Sequence, residues 1–272
     1  MDIEDRWREA IMGALSSLSS RQFSLLIHSL ASDSLLKHQR LFYLLTSPLH
    51  FSQTLQYIES LSLHQKTMLL ARLLLRSLHK ITQFFEKSKI SSGVGIAGLR
   101  DLDAGLLLLA LCEVSDTNHR NWHQRITDHV LTNLLSLYGL GASGWAVLGP
   151  YVDMAIKCRR FVIAVTGQCN GVAEKAAASA MAVVSLPLVE CGGVGKECVI
   201  CKEGLEGGKG VCELPCGHVF HWLCVLPWLR KANTCPYCRF ELPTDDVFCE
   251  IERVWRVVIE RSRWGLCGDY CC

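Results

Sequence analysis

A dense run of metal-ligating side chains constrains the fold of this chain more than any other feature. Its six cysteines and two histidines are Cys198, Cys201, Cys216, His218, His221, Cys224, Cys235 and Cys238. Closely spaced thiolate and imidazole groups can reach one ion from a tight turn, and eight such ligands make two tetrahedral sites. So short a segment cannot fold on apolar burial alone, and each structural zinc would supply on the order of 10 kcal/mol. The run therefore predicts two structural Zn²⁺ ions.

The spacing leaves the assignment of ligands to ions open. In a sequential scheme the first four ligands share one zinc and the last four share the other. In an interleaved scheme the first and third pairs share one zinc, and the second and fourth pairs share the other. Both schemes fill four positions on each ion, so neither ion has a position for water and both ions are expected to be structural.

The run reads ECVIC, then LPCGHVFHWLCVLPWLRKANTCPYCR, and it resembles the RING-H2 finger family. The resemblance implies the interleaved scheme. One zinc would then be held by Cys198, Cys201, His221 and Cys224. The other would be held by Cys216, His218, Cys235 and Cys238.

A second register uses Cys212 and Cys216 as one pair and releases His218. That order resembles the plant homeodomain finger, a reader of histone tails. Such fingers usually carry an aromatic residue where Asn233 stands, and the gap from Cys224 to Cys235 is short for them. The RING-H2 register is therefore favoured, with Cys212 as a spare thiol.

The RING resemblance also implies a docking surface. In that family the positions of Ile200, Trp228 and Pro236 form a shallow groove for a ubiquitin-conjugating enzyme (E2). A cation at the position of Arg239 contacts both that enzyme and its thioester-linked ubiquitin. A tryptophan in so small a module could be core filler, but tryptophan is also typical of interface hot spots.

The predicted function is that of a RING-type E3 ubiquitin ligase. It would dock an E2 that carries ubiquitin and orient the thioester for attack by a lysine of a protein substrate, which the sequence does not identify. The alternative is a non-enzymatic, zinc-dependent interaction adaptor. An adaptor has no need of the full set of Ile200, Trp228, Pro236 and Arg239, so their joint presence favours the ligase.

Composition limits the remaining function classes. The chain has 272 residues and a net charge of +2, which gives no general attraction to nucleic acid. Of 15 cysteines, six belong to the zinc run and nine are scattered, which suits a reducing compartment better than a disulfide framework.

The acidic start, Asp2 to Asp5, argues against a secretory or import signal. Asn133, several glycines and Pro150 argue against a spanning helix over residues 130–152, which leaves only peripheral membrane association open.

Outside the zinc run the pattern is helical. Helices are predicted over residues 22–30 and 35–45, with a break at Ser47-Pro48, and over 62–88 behind a capping box of Ser62 and Gln65. Further helices are predicted over the ranges 101–115, 119–139, 151–165, 172–185 and 247–263. The last of these is expected to follow a cap within Thr244–Asp246 and to bury Val247, Ile251, Val254 and Val258.

The expected fold class is a mainly α N-terminal domain, a small zinc-stapled RING finger with a cross-brace, and a C-terminal helix. Three domains are expected. Residues 1–190 would select the substrate or the location, and residues 191–243 would form the finger. Residues 244–272 would form a helix and a cysteine-containing tail. Glycines within 191–195 suggest a hinge. This plan resembles plant RING ligases of the shoot-gravitropism pathway, which act at amyloplasts. The resemblance implies plastid association on the cytosol-facing side.

Overall fold

The computed structural model describes residues 2–86, 98–114, 124, 126–128, 131–132, 144–167, 176–189, 197–205 and 210–267. They divide into two compact units. The helical unit takes its residues from 1–85, 96–167 and 257–272, and the finger unit takes its residues from 86–95 and 168–256. The predicted hinge at 191–195 lies outside the described residues.

The helical unit is built of α-helices packed on shared leucine-rich faces. Its helices, among the described residues, are α1 (Ile3–Ser16), α2 (Ser20–Thr46), α3 (Pro48–Ser60), α4 (Leu63–Thr82), α5 (Leu99–Val114) and α6 (Gly144–Thr166). The prediction for 119–139 lies largely outside the described residues, although residues 126–128 and 131–132 are helical. In that part of the chain which the structure covers, no helix has the length and apolarity needed to cross a membrane.

Side-chain caps set the starts of these helices. The predicted capping box is confirmed at α4, where the Ser62 hydroxyl accepts from the Gln65 amide at 3.2 Å and the Gln65 side chain accepts from the Ser62 amide at 2.8 Å. The predicted break is also confirmed, since Pro48 begins α3 directly after Ser47. Helix α4 ends at Thr82, earlier than the predicted residue 88.

One predicted break within α2 is wrong. Two helices are predicted over residues 22–30 and 35–45, but α2 runs unbroken from Ser20 to Thr46 through Ser32-Asp33-Ser34. Asp33 is buried and pairs with Lys37, one helical turn further on, at 2.8 Å. Asp33 thus has a partner inside the unit, and the exposed Ser32 hydroxyl donates to the His28 carbonyl one turn back without ending the helix.

Helix α6 begins earlier than its predicted start at residue 151. It starts at Gly144 and carries Pro150 in its interior. An interior proline removes a backbone hydrogen bond. The burial of Val147, Leu148 and Val152 along the same helix offsets that cost.

The finger unit contains a small antiparallel sheet and a short helix. The strands are β1 (Leu188–Val189), β2 (Val211–Glu213) and β3 (Val219–His221), in the order β1-β2-β3. In the β2–β3 pair Cys212 lies opposite Phe220, and both side chains are buried. The helix α8 (Trp222–Leu229) follows β3 at once and buries Val225 and Leu229 in the same core.

Residues 176–189 complete this unit from the N-terminal side. The first residues of the predicted helix over 172–185 lie outside the described residues, and from residue 176 on it is helical only in α7 (Ala180–Val184). Ser179 caps α7 by accepting from the Ala182 amide at 3.0 Å. Pro187 follows closely, and the chain then turns into β1. Ala182 and Leu186 are buried with the side chains of the finger core.

The last helix begins at its predicted residue and ends at Cys267, later than the predicted residue 263. Helix α9 (Val247–Cys267) starts where Asp246 accepts a hydrogen bond from the Cys249 amide at 2.8 Å. The predicted apolar stripe is buried at all of its positions, namely Val247, Ile251, Val254 and Val258.

Candidate metal centre

The structure gathers the predicted ligands into two groups of four. One group is Cys198, Cys201, His221 and Cys224, and the other is Cys216, His218, Cys235 and Cys238. Within each group the ligand atoms lie within 4.8 Å of one another. The groups follow the interleaved scheme, so the chain crosses between them and ties the finger together at two points.

Two similar turns present four of the cysteines. In the first turn the Lys202 amide donates to the Cys198 carbonyl at 2.7 Å, and in the second the Arg239 amide donates to the Cys235 carbonyl at 3.0 Å. Lys202 and Arg239 each have a φ of +63°, a left-handed backbone conformation that residues other than glycine seldom adopt. The tight turn brings both thiols of a Cys-x-x-Cys pair to one side.

The remaining ligands come from the sheet and from α8. His221 ends β3 and Cys224 lies in the first turn of α8. The Nδ1 atom of His221 lies 3.4 Å from the Cys201 sulfur, and the Nδ1 atom of His218 lies 3.3 Å from the Cys216 sulfur. In both histidines the same ring nitrogen therefore faces the thiols.

The protonation of the thiols shows why a divalent cation fits these groups. Burial, together with the neighbouring sulfurs of Cys235 and Cys238, raises the pKa of Cys216 to about 12. Burial likewise raises the pKa of Cys224 to about 11. Burial opposes ionisation of Cys198 too, but backbone amides that donate to its sulfur hold its pKa at about 6.

Crowded thiols thus resist joint ionisation, whereas a soft divalent ion would be bound by thiolates and would neutralise them. The donor set of three cysteines and one histidine in each group suits zinc. The two groups define the class of the module, a cross-braced zinc finger of the RING-H2 type.

Cys212 belongs to neither group. It lies in β2, where its side chain is fully buried in the apolar core, and burial raises the pKa of its thiol to about 11. His218, which the rival register would release, lies in the second ligand group. The geometry therefore matches the RING-H2 register and not the plant homeodomain register.

The residues expected to dock a partner lie at the surface near these groups. Ile200 is 38% exposed and Trp228 is 44% exposed, while Pro236 is half-buried. The indole Nε1 of Trp228 donates to the Thr234 carbonyl at 2.7 Å, which fixes the ring beside the turn that carries Pro236. Arg239 is exposed at the end of that turn.

Sequence reasoning missed two contributions to the site. Tyr237, 65% exposed, packs against His218 with ring centroids 4.5 Å apart and ring planes tilted by 33°. An aromatic residue between two ligands was the available signal. The part that residues 176–189 play in the finger was also missed. Their strand β1 pairs with β2, which is only three residues long, and no turn signal in the sequence links the two strands.

Comparison with known proteins extends this class to the whole chain. Residues 196–239 match the Ring finger domain family. The chain is 41% identical over 280 residues to "E3 ubiquitin-protein ligase SGR9, amyloplastic" of Arabidopsis thaliana, an alignment that covers 96% of this chain and 98% of that protein. A shorter alignment of 107 residues, 41% identical, covers 37% of this chain and 73% of the E3 ubiquitin-protein ligase RNF181 homolog of Drosophila melanogaster.

A third relative, the E3 ubiquitin-protein ligase RING1-like of Arabidopsis thaliana, is 56% identical over 50 residues, or 18% of this chain and 15% of that protein. No solved structure matches the chain significantly. The chain belongs to the RING-type E3 ubiquitin-protein ligase family, as an SGR9-like member related over nearly its full length. The predicted enzyme class, fold class and pair of zinc sites are confirmed.

Proposed function

We propose that the finger docks a ubiquitin-conjugating enzyme through Ile200, Trp228 and Pro236, and that Arg239 holds the thioester-linked ubiquitin ready for attack. The observation that carries the proposal is the exposure of a rigidly held Trp228 beside the second Cys-x-x-Cys turn. Single exposed apolar side chains are common on protein surfaces, but the Trp228 ring is fixed beside the turn that carries Pro236, and apolar side chains grouped in this way mark interaction sites. Their exposure fits a contact surface.

The hydrogen bond of Trp228 supports this role. Because its indole already donates to the Thr234 carbonyl, the ring loses little conformational freedom when a partner covers it. Tryptophan offers a large apolar face for a partner, and exposed aromatic anchors of this kind dominate many interfaces.

Arg239 gives a second line of support. Its side chain is exposed, and among the residues that the structure describes no carboxylate forms an ion pair with it. A solvent-facing arginine at the end of the docking turn is suited to directed hydrogen bonds with a second protein.

The reaction follows from orientation. The finger would restrict the E2–ubiquitin thioester to geometries in which a substrate lysine can attack it, so no cysteine of this chain becomes a nucleophile. Zinc, when bound, supplies the folding free energy of the finger. The eight ligands position the two Cys-x-x-Cys turns, and those turns position Ile200, Pro236 and Arg239.

We further propose that residues 1–190 select the substrate or the cellular location, that residues 191–243 act as the finger, and that residues 244–272 act as a closing helix and tail. The name of SGR9 describes that protein as amyloplastic. On that basis we propose that this chain associates with plastids on their cytosolic face, where an E2 is accessible.

An autoubiquitination assay with a panel of conjugating enzymes tests the docking proposal against the adaptor alternative. Ile200→Ala and Trp228→Ala should abolish chain formation while two zinc ions per chain remain, as counted by native mass spectrometry. Matched controls are Ile259→Ala and Trp145→Ala, since these side chains are 41% and 51% exposed but lie outside the finger.

Full activity in Ile200→Ala and Trp228→Ala would refute the docking assignment. Failure of the wild-type chain with every conjugating enzyme would favour the adaptor.

A further inference from the structure

A large cavity, partly open to solvent, lies between helices of the helical unit. It has a volume of about 940 Å³ and is lined by residues of α2, α4, α5 and α6. Ligand pockets typically span roughly 300–1,000 Å³. Much of its wall is apolar, contributed by Leu41, Leu106, Leu109, Met154 and Phe161.

One part of the wall is polar and buried. Lys37 of α2 lines the cavity, and its ammonium donates to Asp33 at 2.8 Å and to the Ser77 hydroxyl at 3.0 Å. Only 15% of the Lys37 side chain is exposed, and Ser77 is buried. An ammonium has three N–H donors, and the Lys37 nitrogen also lies 4.9 Å from the centre of the Tyr151 ring, so these two bonds leave one donor for a further acceptor.

The charges around Lys37 do not balance. Asp33 is the carboxylate beside it, yet Asp33 also lies 3.6 Å from Arg76 and accepts from the Tyr151 hydroxyl at 2.6 Å. Two cations thus share one buried anion. Burial lowers the pKa of Lys37 although Asp33 acts to raise it, so the ammonium is incompletely compensated for the loss of water.

The other charged residues of the wall are paired with one another or with α1. Lys157 pairs with Glu113, Asp153 with Arg8, and Arg160 with Glu4. These pairs contribute no net charge to the cavity. Lys37 is therefore the cation of the wall whose carboxylate partner is shared with a second cation, Arg76.

We propose that this cavity binds a small amphipathic acid, with its carboxylate on the Lys37 ammonium and its hydrocarbon body along Leu106, Leu109 and Phe161. The buried cation supplies the selectivity for an anion, since a carboxylate would accept the third donor of Lys37 and neutralise the excess charge. The apolar wall supplies the affinity for the hydrocarbon. The helical unit is then a ligand-binding unit joined to a ligase finger.

Isothermal titration of the full-length, zinc-loaded protein with dodecanoate near neutral pH tests this proposal, with dodecan-1-ol as the uncharged probe. Saturable binding at one site is expected for dodecanoate. The affinity for the alcohol should be lower by a factor of about ten or more. Lys37→Met should bring dodecanoate down to the level of the alcohol. Lys66→Met, a half-buried lysine of α4 outside the cavity wall, should bind as the wild type does.

Ala146→Phe provides a test that leaves the buried charges intact. Ala146 is half-buried and lines the cavity, so a phenylalanine there should weaken both probes, whereas Ala10→Phe on α1 should weaken neither. Circular dichroism verifies the fold of each variant. Absence of saturable binding to the wild type, unaltered affinity in folded Lys37→Met, or unaltered affinity in Ala146→Phe would overturn the proposal.

Discussion

The two left-handed residues of the Cys-x-x-Cys turns allow stability and activity to be separated. Lys202 and Arg239 share a φ of +63°, and both side chains are exposed. Replacing either with glycine should relieve about 1–2 kcal/mol of backbone strain. The greater freedom of glycine in the unfolded chain offsets about 0.5–1 kcal/mol of this. A net stabilisation of about 0.5–1 kcal/mol is expected for each variant.

For a unit of this size that stabilisation corresponds to a rise of about 2–8 °C in the melting temperature. Melting should be followed in a buffer that holds free zinc constant, since binding of the metal itself shifts the transition. Lys202→Gly should be stabilised and keep full ubiquitin transfer. Arg239→Gly should be stabilised to a similar extent and yet lose transfer by about tenfold or more, because the directed hydrogen bonds of the guanidinium are gone.

Two results would refute this reasoning. If both glycine variants melted below the wild type, the left-handed turns would carry no relievable strain. If Arg239→Gly kept full activity, Arg239 would have no part in holding ubiquitin, whatever its effect on stability.

Other outcomes follow from the buried groups. Asp33→Ala should destabilise the helical unit by about 3–5 kcal/mol in urea unfolding, since it leaves Lys37 buried without its carboxylate. Burial opposes ionisation of Asp33, but Lys37 and Tyr151 hold its pKa below the usual value. Its stabilising contribution is therefore complete above about pH 4 and is lost as the pH falls further, an acid sensitivity that Asp33→Asn should reduce. Cys212→Ala should retain two zinc ions by native mass spectrometry, whereas His218→Ala should lose one. Chelation of zinc should reduce the near-ultraviolet circular dichroism of the chain, to which Trp228 contributes. A finger that stays ordered without metal would contradict its dependence on zinc.

The zinc ligands were predictable because their chemistry is local. Spacing alone indicated two ions, and the RING resemblance supplied the interleaved pairing that the structure shows. The start of α4 was predictable for a similar reason, since a capping box needs only Ser62 and Gln65, three residues apart. The cap and stripe of α9 also depend on residues within a few turns of one another.

Features that depend on distant partners were not predictable in this way. Asp33, within α2, is buried beside Tyr151, which is 118 residues away in the chain and donates to its carboxylate. Helix α7 is short, and the chain continues from it into β1, which pairs with β2. No local pattern in the sequence predicts that pairing. The cavity around Lys37 likewise arises from helices that meet only in the folded unit.

The attachment of residues 176–189 to the finger affects how the protein can be divided. The Ala178 amide donates to the Leu229 carbonyl, the Ser179 amide donates to the Pro243 carbonyl, and Leu188 pairs with Cys212 across the sheet. A fragment that began at residue 196, where the family match begins, would lack β1 and Leu186. One edge of β2 would then be exposed, and the finger core would have a cavity in place of the Leu186 side chain. Such a fragment would be prone to aggregate through its unprotected strand. An autonomous, soluble catalytic fragment should therefore start no later than residue 176.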